Sequence, residues 1–185
     1  MTQMVETPKT IIGIDYSLTS PAISIDNGAL MFFYLTGKKK WSMTMNDMIV
    51  GEAHKEYKTD IERFKNISDF AINLILATQN PYVYIEGYSF GSKGRGVFQI
   101  AENCGILKYR LEELNIPYKT VVPSVVKKFA TGKGNADKDK MYEHFVKDLK
   151  IDLKKIFDTE KVGNPISDIV DSYYIAKCGA DDEFN

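Results

Sequence analysis

The stretch Lys9 to Ile25, KTIIGIDYSLTSPAISI, constrains the fold more than any other part of the chain. Ile11, Ile12 and Ile14 make a short β-branched run of strand length, the composition of a strand buried on both faces. Asp15 ends that run, at the rim of a sheet, where a carboxylate is costly to desolvate unless something positive meets it. Tyr16 to Ser20 then turn the chain, and Pro21 to Ile25 reads as a second strand folding back. Taken alone, Asp15 reads as the opener of a β-turn. Three carboxylates later in the chain overturn that reading.

Asp26-Asn27-Gly28 is a hairpin signal, and Ala29 to Leu35 reads as a third strand, completing an antiparallel meander. Residues 36–58 carry no clean period and read as an insertion or excursion; Lys38, Lys39 and Lys40 beside Trp41 could touch nucleic acid, with a solvated loop around a partly buried tryptophan as the plainer reading. From Thr59, Ile61, Phe64, Ile67, Phe70, Ala71, Leu74 and Ile75 recur at helical spacing until Gln79-Asn80-Pro81. Tyr82 to Gly87 is a fourth strand, ending in Glu86 much as the first ends in Asp15. The intervening helix implies a crossover and parallel pairing with the first strand, so Asp15 and Glu86 are expected at one sheet edge.

A helix is expected over Phe98 to Leu114, with Ile100, Cys104, Leu107 and Leu111 on one stripe. A fifth strand follows over Ile116 to Val122, then a short helical turn from Pro123 to Phe129. A helix from about Asp137 to Leu149 comes after a glycine- and lysine-rich stretch, and residues 150–163 read as a polar connection. Asn164-Pro165 has the chemistry of an N-cap and first helical position, opening a last helix through about Lys177.

On that last helix Asp168 and Asp171 stand three residues apart and share a face. Asp168 suits a helix dipole. Asp171 lies a turn further in, among Ile166, Ile169, Val170, Tyr173, Ile175 and Ala176, where a pair of acids repels unless a cation is shared. Four acids at two strand ends and one helix face are a donor set for hard divalent cations such as Mg2+. Two such ions can activate a water and stabilise the leaving oxygen of a phosphodiester. No histidine or cysteine sits with them, against zinc; His54 and His144 are the only histidines, so chemistry here rests on carboxylates and lysines.

The 185 residues suit one domain, and a composition 44% hydrophobic and 26% charged is that of a soluble globular protein. No apolar run approaches the ~20 residues of a membrane span, and the N-terminus lacks a signal peptide's apolar region. Cys104 and Cys178 suggest no disulfide framework, and a reducing, cytoplasmic setting is expected. The net charge of −1 is unevenly spread: residues 91–140 carry net +5 and the remainder −6, a basic sector suited to phosphates. Gly132-Lys133-Gly134 lacks the spacing of a P-loop, and its flexible glycines with Lys133 and Lys138 suit a phosphate backbone better. GYSFGSKGRG at 87–96 mixes Tyr88 and Phe90 with Lys93 and Arg95, a combination able to stack on unpaired bases and hold phosphates. An inward-packed rim loop is the plainer alternative.

Through IIGIDYSLTS, YIEGYSF, VPSVVKKFATGKGNADKDKM and SDIVDSYYIAK, the chain resembles the RuvC family of Holliday junction resolvases, in particular its phage-type members, within the ribonuclease H-like superfamily. The resemblance implies an α/β ribonuclease H-like fold, a five-stranded mixed sheet flanked by helices. It implies that Asp15, Glu86, Asp168 and Asp171 bind two Mg2+ ions, with Mn2+ able to substitute. Lys127 and Lys138 match basic residues near the scissile phosphate, Lys128 and Lys133 extend the DNA contact, and Phe90 or Tyr88 falls where members place a junction-contacting aromatic. Members often have Pro-Gly where this chain has Tyr16-Ser17, and a glycine where it has Ser20; the 36–58 insertion has no clear counterpart.

The expected activity is Mg2+-dependent cleavage of Holliday junctions and other branched DNA in recombination and repair, leaving 5′-phosphate and 3′-hydroxyl ends. A homodimer follows from two-fold cleavage; the resemblance implies that the Phe98–Leu114 helix is its interface, and a phage origin would place the enzyme in the host cytoplasm. Three rivals remain. One is a ribonuclease H-like nuclease for RNA–DNA hybrids. Another is an actin-like or sugar-kinase ATPase, whose first phosphate loop IGIDYSLTS also resembles but which needs two lobes and a longer chain. The third is a non-catalytic junction-binding protein, against which the four acids stand.

Overall fold

The computed structural model describes residues 8–43, 47–88 and 96–181. Six strands form one mixed sheet in the order β4-β3-β2-β1-β5-β6. In chain order these are β1 (Thr10–Asp15), β2 (Ala22–Asp26), β3 (Leu30–Thr36), β4 (Ile49–Ala53), β5 (Pro81–Glu86) and β6 (Tyr118–Val121). The helices are α1 (Asp60–Leu76), α2 (Gly96–Glu113), α3 (Pro123–Thr131), α4 (Lys138–Leu149), α5 (Leu153–Ile156) and α6 (Ile166–Gly179). The first three strands are the expected antiparallel meander. β5 joins β1 in parallel, and β6 joins β5 in parallel.

The five-stranded expectation is corrected by β4, which arises inside 36–58 and pairs in parallel with the outer edge of β3. The segment is therefore partly sheet. Its apolar content is brief, Ile49 being buried and Val50 half-buried, too little to show a period of two. Gly51 is required there, because a Cβ would overlap the ring of Tyr34 on the neighbouring strand. A 3-10 turn at Lys39–Trp41 makes the connection, and Trp41 donates from Nε1 to the Phe157 carbonyl at 2.9 Å. Phe157 is buried beneath Trp41 and Tyr34, so the 150–163 connection, with α5 inside it, is tied to the 36–58 segment.

Alternation along the strands decides what faces which helices. Ile12 and Ile14 of β1, with Val83 and Ile85 of β5, pack with α1 and α2. Ile11, Tyr82 and Tyr84 belong to the opposite core, built with α3, α4 and α6. The same alternation places Gly13, Asp15 and Glu86 on the α6 side. Contact there is close: a Cβ on Gly13 would overlap the Ser172 carbonyl and lie 2.6 Å from the Ala176 nitrogen. Ser24 on β2 donates to the Ser172 carbonyl at 2.8 Å.

Helix limits follow local chemistry. Thr59 caps α1 by accepting from Glu62 N, and Asp137 caps α4 by accepting from Lys140 N. α3 runs two residues past the expected turn, from Pro123 to a left-handed Gly132. On α2 the buried stripe is Asn103, Cys104, Leu107 and Leu111, whereas Ile100 is partly exposed. α6 begins one residue later than expected: Pro165 occupies the N-cap position without a side-chain bond, and Asn164 Oδ1 instead accepts from the Ser167 hydroxyl at 3.1 Å. No helix among the described residues is long and apolar enough to cross a membrane.

Candidate active site

Asp15 and Glu86 end adjacent parallel strands. Their registers run Ile14 opposite Ile85, so the two acids follow one step on at the same edge. α6 brings Asp168 and Asp171 across that edge, and Asp15 and Asp168 are both buried. The carboxyl of Asp15 is held well above the ordinary carboxylate range, first by burial and then by the charges of Asp168, Asp171 and Glu86, with Lys138 opposing. Burial, and after it Glu86 and Asp168, push Asp171 up to about 7, while Lys138 and Lys127 pull against them. Burial pushes Asp168 up to about 6, moderated by the Ser20 hydroxyl, Lys138, Ser167 and Lys38. Glu86 is raised by burial too, with Lys127 opposing and Asp168 adding to the rise. All four acids thus act on one another through a shared, poorly solvated space.

Cations and hydroxyls surround the acids. Lys138, at the start of α4, donates from Nζ to Ser167 Oγ at 3.2 Å. The single hydroxyl proton of Ser167 serves either Asn164 Oδ1 at 3.1 Å or Asp168 Oδ1 at 3.2 Å. The other oxygen of Asp168, Oδ2, is fully enclosed without a hydrogen bond of acceptable geometry, although the Ser20 hydroxyl is near enough to favour its charge. A pit of about 70 Å³ between α3, α4 and α6 is lined by Lys127, Lys138, Ser167 and Asp171. On the other side Asp15 and Glu86 open into a cleft of about 410 Å³ walled by Tyr88, Val97, Ile100 and Cys104. Tyr88 is 47% exposed there, with Lys108 Nζ 5.1 Å above its ring.

The donor set is oxygen only. No three His, Cys, Asp or Glu close into a ready-made metal cage among the described residues. What the site offers is an enclosed, unpartnered carboxylate oxygen and four carboxyls raised first by burial, three of them also by the charges of their neighbours, the chemistry of a hard-cation site.

The structure therefore brings together Asp15, Glu86, Asp168, Asp171, Lys127, Lys138 and Tyr88 of the residues expected from sequence. Lys128 and Lys133 are exposed on α3 and the turn after it, and neither is among the charges that act on the acids. Phe90, Lys93 and Arg95 lie outside the described residues. Sequence reasoning did not place Ser20 and Ser167 beside the Asp168 carboxylate, Asn164 as an acceptor for Ser167, or Lys38, weighed there as a nucleic-acid contact, within charge reach of Asp168. The Lys38-Lys39-Lys40 run was a visible signal for Lys38; the small polar residues had none.

Residues 34–170 match the family model described as crossover junction endodeoxyribonuclease RuvC. That span holds Glu86, Lys127, Lys138 and Asp168; Asp171 directly follows its end, whereas Asp15, with β1 and β2, precedes its start. Among curated proteins the sequence matches none. The fold is similar to that of Thermus thermophilus RuvC (17% identity, TM-score 0.55, covering 90% of this chain and 92% of that one). T. thermophilus RuvC in complex with a Holliday junction substrate gives 17% identity and a TM-score of 0.59, with 90% of each chain covered. The yeast mitochondrial Holliday junction resolvase Ydc2 gives 13% identity and a TM-score of 0.56, covering 94% of this chain and 78% of that one. At these identities the likeness is one of fold.

Proposed function

This chain belongs to the RuvC family of crossover junction endodeoxyribonucleases, and we propose that it cuts Holliday junctions and other branched DNA with Asp15, Glu86, Asp168 and Asp171 holding two Mg2+ ions. The observation that carries this reading is the convergence of four poorly solvated acids at one sheet edge, with lysines opposing their charge among the described residues. Mn2+ suits the same oxygen donors. When bound, such ions lower the pKa of an attacking water and stabilise the leaving oxygen of a phosphodiester. The protein's own part is positional. Lys138, steadied by Ser167, and Lys127, in the pit beside Asp171, hold the phosphate against four carboxylates that would otherwise repel it. Tyr88 presents a ring beside Asp15 and Glu86 on which an unpaired base at a branch point can stack. Lys128 and Lys133 extend the backbone contact from α3.

Paired cuts across a junction need two sites, so the active form is a homodimer. Its interface is the outer face of α2, where Phe98 is 71% and Tyr109 63% exposed. The test is incubation with a four-way junction, a Y-junction and an RNA–DNA hybrid, with Mg2+ or with chelator. The two branched DNAs should be cut, in Mg2+ only, leaving 5′-phosphate ends. Preferential cutting of the hybrid would refute the reading.

A further inference from the structure

A cleft of about 620 Å³ opens beside the acids on the opposite side from Tyr88, between the β1–β2 loop, the end of β3, the segment after β4 and the first turns of α1. Its wall carries Lys38, Lys55, Arg63 and His54, and no Asp or Glu among the described residues lines it. Ser20, whose hydroxyl lies near Asp168, and Asn164, which accepts from the Ser167 hydroxyl beside Asp168, both belong to this wall. The cleft is therefore continuous with the candidate active site, and Lys38 acts electrostatically on both.

The cations fall into two kinds. Arg63 Nη2 donates to the Leu18 carbonyl at 2.8 Å, and His54 Nε2 donates to the Thr19 carbonyl at 2.9 Å. These two side chains hold consecutive peptides of the loop that carries Ser20. Arg63 also keeps an enclosed Nε with no hydrogen-bond partner. Lys38 and Lys55 are exposed. Lys38 Nζ reaches the Asn164 carbonyl at 2.6 Å and lies 4.7 Å from the centre of the Trp41 ring; it forms no ion pair among the described residues, although its charge reaches Asp168, and Lys55 has no hydrogen bond or ion pair among them. Exposed cations without an ion-pair partner, on a wall with no Asp or Glu among the described residues and next to a phosphodiester-cutting centre, suit anions spaced along a chain.

We propose that this cleft seats the backbone phosphates of the DNA arm that leaves the active site on one side of the scissile phosphate, with Lys38 and Lys55 as the contacts. The 36–58 segment is then a DNA-binding element: it supplies both lysines, and β4 fixes the stretch that carries Lys55. The inference rests on the reading of the chain as a junction nuclease.

The test uses full-length wild type and the Lys38→Gln/Lys55→Gln double variant, with Lys55→Gln alone as the form that disturbs no described contact. Binding to a four-way junction is measured in chelator across a salt series, together with ethylation interference at each phosphate. Each lost phosphate contact lowers the salt slope by about 0.9, so between 50 and 200 mM salt the wild-type affinity should fall about 12-fold more than that of the double variant. Lys55→Gln alone should give about half that change in slope, and interference should disappear only at phosphates on one side of the cut. If wild type cuts the junction in Mg2+ while slope and interference are unchanged in both variants, the cleft proposal is overturned and the nuclease reading stands. If wild type neither binds nor cuts the junction, the nuclease reading itself fails.

Discussion

Asp171→Asn separates the cost of the acid cluster from its use. In the metal-free protein burial and the charges of Glu86 and Asp168 push this carboxyl from 3.8 to about 7. A raised carboxyl holds its proton more tightly when folded, so folding is favoured most below about pH 4, and that advantage is lost as pH rises through about 7. Fully counted, the difference corresponds to about 4 kcal/mol at alkaline pH. Part of the repulsion belongs jointly to Glu86 and Asp168, and the side chain keeps some exposure, so about 1–3 kcal/mol is expected from the single substitution. In a chain of this size that raises Tm by about 3–10 °C at pH 8, and the gain should shrink towards zero at pH 4–5. On the proposed two-metal reading, magnesium binds the folded site alone, and at 100 times its Kd it should stabilise wild type by about 2.7 kcal/mol. In the variant that rise should be blunted and cleavage lost. Thermal unfolding of both proteins in chelator at pH 8 and pH 5, then across a Mg2+ titration at pH 8, measures every part. A Tm gain as large at pH 5 as at pH 8 would show that the gain does not come from charge repulsion at Asp171, and equal Mg2+ shifts in the two proteins would show that Asp171 is not a ligand.

Asp15→Asn should abolish cutting while junction binding in chelator changes less than threefold; near-normal cutting in Mg2+ would remove Asp15 from the site. Lys127→Ala and Lys138→Ala should each slow single-turnover cleavage at least tenfold while costing at most about 1 kcal/mol in urea unfolding, because their ammonium groups are turned to the site rather than the core. Normal cutting by either would assign that lysine to the solvated surface. Gly13→Ala should cost more than about 3 kcal/mol, since its Cβ overlaps α6 backbone rather than a movable side chain; a urea midpoint close to wild type would mean that α6 can shift off β1.

Asp15 and Glu86 were legible because each closes an apolar run that had to be a buried strand, and a helix between the runs made parallel pairing the natural topology. Asp168 and Asp171 were legible from three-residue spacing inside an otherwise apolar helix. β4 was not legible. Its pairing with β3 is long-range, only Ile49 and Val50 are apolar, and the reason for Gly51 lies in Tyr34 across the sheet. The same holds for the 150–163 connection, whose place is decided by Phe157 beneath Trp41 more than a hundred residues earlier. Ser20, Asn164 and Ser167 are common loop and helix-start residues, and only their convergence on Asp168 gives them a role. The basic sector over 91–140 contains Lys127 and Lys138, which the fold sets beside the acids, whereas Lys38, Lys55 and Arg63 lie outside it and are gathered only by the packing of the 36–58 segment against the β1–β2 loop and α1.

The packing that seats α6 and the repulsion at the acids have one origin. Gly13 lies two residues before Asp15 on the same strand face, and Ser172, which its missing Cβ lets approach, directly follows Asp171. A bulkier residue at Gly13 would relieve the carboxylates by pushing the helix away, and would at once break the Ser24 bond to the Ser172 carbonyl. The fold therefore holds four acids nearer than they would choose by burying apolar side chains on both faces of the sheet. Ile12 and Ile14 are anchored against α1 and α2 while Ile169 and Val170 flank the acids on α6. Hydrophobic contact across that sheet is insensitive to pH and to cations, and carboxylate repulsion is sensitive to both. A cation or a proton thus changes the energy of the site with little demand on the scaffold, which is the arrangement a metal-dependent nuclease needs if its centre is to be emptied and refilled without unfolding.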